Sequence, residues 1–334
     1  MRKADLNGKN ILVTGGSGFI GSNFIEMILR EYVDMNVVNV DNLMTGSRKD
    51  FVPFIGNNNT YEHNYQTTWA IAEDHMLGKW MFDYIFHFAA ESHVDRSITN
   101  PAVFMVSNVA GMAGVVEYMR NFCPKTTRLI NISTDEVYGH LPLDGHDYFT
   151  ELSPLQPRSP YSASKASADL IAGAYFSTYG LDIITTRCCN NFGKHQHDEK
   201  LIPTVVRHLV QGRKVPVYGK GENIREWISV DDHNRSILEI ADIGVAGNVY
   251  NVTGEMSLTN IEMIATILGI IHPMEKFPTS YLKFVEFITD RKGHDLRYSL
   301  ESIKYKRSFE LESFYGSLRN TVDFYVDKYE SADK

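Results

Sequence analysis

Cysteine is scarce. The 334 residues hold three, Cys123, Cys188 and Cys189. Two of them adjoin and the third stands far off, so the chain has neither a disulfide framework nor the paired spacing of a zinc site. Free thiols in a reducing compartment are expected. A positive excess is missing too: Lys and Arg number 33 against 41 Asp and Glu, a formal net charge of −8. That argues against a nucleic-acid-binding surface and leaves room only for a local basic pocket that takes phosphates. No apolar stretch of signal-peptide length opens the chain, which runs from MRKADLNGKN straight into ILVTGG. No later segment reads as a membrane span. Internal repeats and low-complexity tracts are lacking as well. These absences predict a cytoplasmic protein with no membrane and no nucleic-acid partner.

What is present is the make-up of a globular fold: 43% apolar and 22% charged residues, and a length that suffices for one large domain or two lobes. Short β-branched runs alternate with helical patterns. Strands are predicted at Ile11–Thr14, Val37–Val40, Tyr84–Phe88, Arg128–Ile132, Asp182–Thr186 and Asn248–Val252. Helices are predicted at Ser22–Tyr32, Ala102–Asn121, Ser162–Tyr179, Ile202–Gln211, Asp232–Ala241 and Thr259–Leu268. That alternation is the signature of an α/β fold with a doubly wound parallel (Rossmann) sheet. After about residue 187 it fades into loops at 193–200, 212–226 and 271–280. A nucleotide-binding domain is therefore expected over 1–187 plus about 228–254, and a smaller substrate lobe over about 188–227 and 255–334. Residues 328–334 read as a fraying polar end.

The first strand runs into Gly15-x-x-Gly18-x-x-Gly21 and a helix follows, with Phe19 and Ile20 inside the turn. Glycines there let the backbone approach a pyrophosphate, which the helix N-terminus then attracts. The second strand ends at Asp41, next to Asn42, where a carboxylate binds ribose hydroxyls and repels a 2′-phosphate. NAD is the predicted cofactor, with Arg48 keeping NADP as the alternative.

Tyr161 and Lys165 are four apart and share one helical face. A tyrosine whose pKa is lowered by a lysine ammonium and a nicotinamide ring can act as a base. Ser133, Thr134, Asp135 and Glu136 follow a strand at the carboxyl end of the sheet, where ligands of such folds bind. Two carboxyls beside a Tyr/Lys pair exceed the needs of alcohol oxidation. They suggest a second, eliminating step in which one carboxyl gives a proton and the other takes one. His195 and His197 lack a partner cluster, so no metal site is predicted. Phe86, Phe88 and Phe104 read as core.

Together these residues resemble the extended short-chain dehydrogenase/reductases, and among them the dTDP-glucose 4,6-dehydratase family. The resemblance rests on TGGSGFIGS (14–22), HFAAESHVDRSI (87–98), STDEVYG (133–139), SPYSASKA (159–166), RCCNNFG (187–193), EKLIP (199–203), NIREW (223–227) and TDRKGHDLRY (289–298). It implies a hydro-lyase of deoxysugar biosynthesis that converts a nucleoside-diphosphate glucose to its 4-keto-6-deoxy form, with dTDP-glucose as the expected substrate. UDP- and CDP-sugars, and a nucleotide-sugar 4-epimerase, are the alternatives. A catalytically silent sugar-nucleotide-binding protein is the reading from another class. The resemblance also implies a homodimer joined through the helices at about 102–121 and 162–179.

The same resemblance assigns Thr134, Asp135, Glu136, Tyr161 and Lys165 to catalysis. To the cofactor side it adds Asn64, Tyr65, Phe88, Ala89, Ala90, Ser92, Asn108 and Ser133. To the substrate side it gives Ser92, Thr134, Asn190, Lys200, Leu201, Pro216, Tyr218, Arg225, Arg291, His294 and Tyr298.

Overall fold

The computed structural model describes residues 3–44, 46–73, 77, 80–254, 256–273, 280–290, 294–307 and 311–332. Its elements run β1 (Asn10–Thr14), α1 (Phe19–Glu31), β2 (Asn36–Val40), β3 (Thr60–Asn64), β4 (Tyr84–His87), α2 (Val94–Thr99), α3 (Pro101–Phe104) and α4 (Gly111–Phe122). They continue with β5 (Arg128–Thr134), α5 (Pro160–Tyr179), β6 (Asp182–Cys188), β7 (Asn190–Phe192), α6 (Leu201–Val210), β8 (Val215–Tyr218), β9 (Ile224–Ser229) and α7 (Val230–Ile243). The last are β10 (Val249–Val252), β11 (Met256–Thr259), α8 (Asn260–Ile271), β12 (Val285–Ile288) and α9 (Leu311–Ala332).

Seven strands form the central sheet in the order β10-β6-β5-β4-β1-β2-β3, and every pairing is parallel. The order reverses between β1 and β4, so a crevice opens beyond the carboxyl ends of those two strands. Each face is covered. On one, Phe24, Ile28, Ile237 and Ile240 pack on Val13, Ile130 and Ile184. On the other, Val115, Tyr118, Ala168 and Ala172 pack on Leu12, Ile85 and Leu129. Burial on both sides explains why these strands read as unbroken apolar runs. A further cluster joins α6, α8 and α9 to β8, β9 and β12 through Val205, Trp227, Ile264, Val285 and Leu318.

Three sequence expectations need correction. The helix predicted over Ala102–Asn121 is interrupted by a π-helical turn at Met105–Ala110. That whole run, Pro101–Phe122, does have the length and apolar composition of a membrane-crossing helix. Half of its most apolar stretch is buried inside the protein: one face packs against α5, and Asn108 bonds there to Glu91 and Ser164. The polar end does not fray at residue 328, because α9 continues to Ala332. Lys328 Nζ and Tyr329 Oη both donate to Asp198 Oδ1 at 2.8 Å. Residues 333 and 334 lie outside the described residues.

Candidate active site

β1 ends at Thr14, whose Oγ1 lies 2.7 Å from Nδ1 of His87 at the end of β4. This buried contact ties the two strands at the crevice. Gly15 then turns with φ +71°, and a Cβ there would meet the Ala89 nitrogen at 2.5 Å. A Cβ at Gly21 would meet the Gly15 oxygen at 2.3 Å. Gly18 caps α1 without a side-chain bond and no acidic residue occupies the first turn, so the helix N-terminus keeps its partial positive charge for a ligand. Asp41 is held by three donors: Ser17 N–H to Oδ2 at 2.9 Å, and Leu43 N–H and Ser47 Oγ to Oδ1 at 2.8 and 3.1 Å. Arg48 turns to Glu26, at 3.1 Å, and lies over Phe51. That guanidinium is engaged elsewhere, which fits the reading of the Asp41 carboxylate as the ribose ligand. The glycine cradle, the open helix end and the buried Ser133 Oγ, which has no hydrogen-bond partner among the described residues, fit a dinucleotide.

A cavity of about 580 Å³ runs from this turn to the predicted catalytic residues. Of the predicted cofactor residues, Gly15, Gly18, Phe19, Ile20, Gly21, Asp41, Asn42, Phe88, Ala89, Ala90, Ser92 and Ser133 line it. Thr134, Asp135, Glu136, Tyr161, Lys165, Asn190 and Lys200 line its other end. Asn108 does not reach it. That side chain is buried in the π turn, where Oδ1 accepts the Glu91 N–H at 2.8 Å and Nδ2 donates to Glu91 O and Ser164 Oγ. It thereby pins the Ala89–Ser92 stretch to α5. Asn64 and Tyr65 do not line the cavity either: Tyr65 is exposed and stacks on His63, and Gln66 to Trp69 take their place. Sequence reading missed these four because no motif covers them. It also left Cys188 and Cys189 without a place, although both line the cavity. Cys188 Sγ donates to Ser133 O, and burial pushes its thiol up to about 12.

α5 begins with a capping box between Ser159 and Ser162, with Pro160 in its first turn, which fixes where Tyr161 enters. Tyr161 is buried with its ring edge-on to Phe104. Lys165 Nζ donates to Ile132 O at 2.8 Å. The lowering of this tyrosine is expected from the lysine and the nicotinamide ring together. Burial, then the charge of Glu136, holds the Tyr161 phenol well above its ordinary value. Lys165 is itself lowered by burial, against the opposing charge of Asp169. Asp135 and Glu136 sit on a 3₁₀ turn, Asp135–Tyr138, capped by Thr134. Asp135 is 1% exposed. Burial first, then Glu136 and Glu226, raise its carboxyl well above the usual range, so it holds its proton where an ordinary aspartate is ionised.

The other predicted substrate residues that the structure describes stand off the cavity. Leu201 opens α6 and packs into the second cluster. Pro216 and Tyr218 lie on β8, paired with β12. His294 pairs with Asp290 at 2.6 Å. Arg225 is buried, donates to the carbonyls of Ile224 and Asp295, and stacks on Tyr298 at 4.4 Å. Tyr298 Oη in turn donates to Asp295. This group borders the acid pair, since Glu136 acts on Tyr298 and Arg225 on Asp135. Arg291 lies outside the described residues. Among the described residues no three His, Cys, Asp or Glu side chains converge as a metal site, and His197 lies 3.5 Å from Glu199.

Residues 12–313 match the profile of the GDP-mannose 4,6 dehydratase family. The chain is 38% identical to a dTDP-glucose 4,6-dehydratase of Shigella flexneri over 95% of its own length and 92% of the relative's. It is likewise 38% identical to that of Neisseria meningitidis, over 96% and 94%. Among solved structures it is similar to DesIV, a dTDP-glucose 4,6-dehydratase from Streptomyces venezuelae with NAD and TYD bound, at 37% identity and a TM-score of 0.83, covering 96% and 98% of the two chains. A UDP-glucose 4-epimerase from Thermotoga maritima, 22% identical with a TM-score of 0.80 over 96% and 99%, shares the fold. By sequence and architecture the chain belongs to the GDP-mannose 4,6 dehydratase family of extended short-chain dehydrogenase/reductases.

Proposed function

We propose that this protein uses NAD to dehydrate dTDP-glucose to the 4-keto-6-deoxy sugar nucleotide, as a hydro-lyase. One observation carries the reading: a buried Asp135, its carboxyl raised well above the usual range by burial, and its neighbour Glu136 line the same cavity as Tyr161. A 4-epimerase has no task for that acid pair, and the epimerase-named structure above shares only the fold.

Bound NAD supplies a cationic ring beside Tyr161 and a temporary acceptor for the hydrogen that leaves the sugar 4-carbon and ends on the 6-carbon. Tyr161 takes the proton of the 4-hydroxyl, which Thr134 helps to place. The 4-ketone acidifies the neighbouring 5-carbon, and Glu136 removes the proton there. Asp135 gives its proton to the 6-hydroxyl, which departs as water. Glu136 then returns a proton, exchanged with solvent, to the 5-carbon. One carboxyl gives while the other takes, so the two must hold opposite protonation states.

Ser92, Asn190 and Lys200 are the proposed sugar and phosphate contacts. Leu201, Pro216, Tyr218, Arg225, Arg291, His294 and Tyr298 are proposed for the nucleotide, with Arg225 reaching the diphosphate once it releases its carbonyl partners. The division into a nucleotide-binding domain and a sugar-nucleotide lobe is proposed on the same basis, supported by the separate cluster around Trp227. So is homodimerisation: Met105, Val106 and Leu170 leave apolar side chains exposed on the helices in question, a face suited to four-helix packing. Three free cysteines support a cytoplasmic setting.

The test is incubation with dTDP-glucose in deuterated water, with UDP- and CDP-glucose in parallel. Loss of water with one deuteron at the sugar 5-position is expected from dTDP-glucose. A product of unchanged mass would sink the proposal in favour of the epimerase.

A further inference from the structure

Glu226 is a buried carboxylate that no step above employs. It lies on β9, 2% exposed, and its Oε2 accepts the backbone N–H of Leu300 at 2.9 Å. Its charge acts on Asp135, which has Oδ1 on the Thr134 hydroxyl at 3.2 Å and Oδ2 buried without a hydrogen-bond partner among the described residues. Two buried carboxyls that act on one another do not both ionise readily, because like charges in a poorly screened interior repel. A donated N–H favours the ionised form of the group that receives it. Leu300 supplies that N–H to Glu226, while the second oxygen of Asp135 is left bare. The asymmetry places the proton on Asp135.

We propose that Glu226 is a positioning residue whose negative charge keeps Asp135 in its proton-bearing form for the elimination step. The inference rests on the reading of Asp135 as the acid. The charged and titratable groups that face Asp135 all bear on it. Glu136 follows it in the chain, Tyr161 faces it from α5, and the thiols of Cys188 and Cys189 face it from the end of β6. From β9 come Glu226 and Arg225, which act in opposite directions. Removing the Glu226 charge leaves Arg225 unopposed on that side, so both changes favour ionised Asp135.

The experiment uses full-length, NAD-loaded enzyme and dTDP-glucose, and follows water loss against pH. E226Q retains the shape and the Leu300 contact. It is expected to move the high-pH limb of water loss toward acid by about one unit, with single-turnover cofactor reduction retained. E226D, which keeps the charge, is expected to hold the limb near its original place. A limb unmoved in E226Q overturns the proposal. So does E226D shifting as far as E226Q, which would mark a packing role. Independently of whether these variants fold, infrared difference spectra of wild type against D135N should show a protonated Asp135 carboxyl at neutral pH, and its absence there also overturns the proposal. D135N with undiminished water loss would instead remove the acid role itself, and the inference with it, whereas an unmoved E226Q limb leaves that role standing.

Discussion

Thr134 Oγ1 donates to Asp135 Oδ1 at 3.2 Å and leaves the other carboxyl oxygen, Oδ2, sealed from solvent with no partner among the described residues. One hydroxyl therefore both caps the 3₁₀ turn, by accepting the Glu136 N–H, and orients the acid. The same turn directs Glu136 into the cavity. The proposed acid and base are thus consecutive residues fixed by a single capping side chain.

Separation of the two carboxyls by mutation should separate the chemical steps. In Glu136→Gln, cofactor reduction is expected to persist while water loss falls by about 10²–10⁴, the span of a lost general base. Rapid-scan absorbance of the reduced cofactor, set against product mass, checks this. Full product formation by the variant would strip Glu136 of its role.

Tyr161→Phe keeps the buried ring and its edge-on contact with Phe104 but has no group to take the 4-hydroxyl proton. Reduced cofactor is expected to fall by about 10²-fold or more in a single turnover. Normal formation of it would show that another group acts as the base.

Asp135 also carries a stability consequence. Its folded pKa is raised by burial and by Glu136 and Glu226, so the folded state binds the proton more tightly than the unfolded chain does. Its contribution is then whole below the unfolded value of about 3.9 and is lost as pH climbs from there through the folded value. Asp135→Asn has no proton to lose. The variant is expected to be more stable than wild type at pH 7, with the gap closing as pH falls toward about 4. Urea denaturation at the two pH values measures it, and a gap that widens on acidification would contradict the assignment.

The central sheet was legible because β1, β4, β5 and β6 are buried on both faces and so appear as β-branched runs between turns. β3 escaped notice for the opposite reason. It is the edge strand Thr-Tyr-Glu-His-Asn, only half buried, and its polar residues lack the period of a core strand. α9 escaped because polar and charged residues dominate its sequence, and its buried Leu318, Val322 and Tyr325 are diluted among them. The proposed acid and base were legible because they follow the end of β5, and Tyr161 and Lys165 because their spacing puts them on one helical face. Glu226 was not, since its partner Leu300 is remote in the chain and only folding brings them together. The carbonyl bonds that hold Arg225 were hidden in the same way, because backbone acceptors leave no mark on a sequence.

The glycine turn gives the sharpest contrast between two substitutions of one kind. Gly15→Ala would force a Cβ to within 2.5 Å of the Ala89 backbone at φ +71°, and backbone cannot swing aside as a long side chain can. The left-handed conformation alone costs alanine about 1–2 kcal/mol, and relieving the clash must part β1 from the Ala89 segment, widening the cradle. Loss of retained NAD through purification is expected, together with a lowered melting temperature. Gly316→Ala is the control. It lies inside α9 with nothing within 4 Å of the new Cβ, and alanine there should add about 0.5–1 kcal/mol by relieving the entropic cost of a helical glycine. Thermal melts with and without added NAD distinguish the two. A Gly15→Ala protein that keeps its cofactor would show that the close approach to Ala89 is not what shapes the pyrophosphate site.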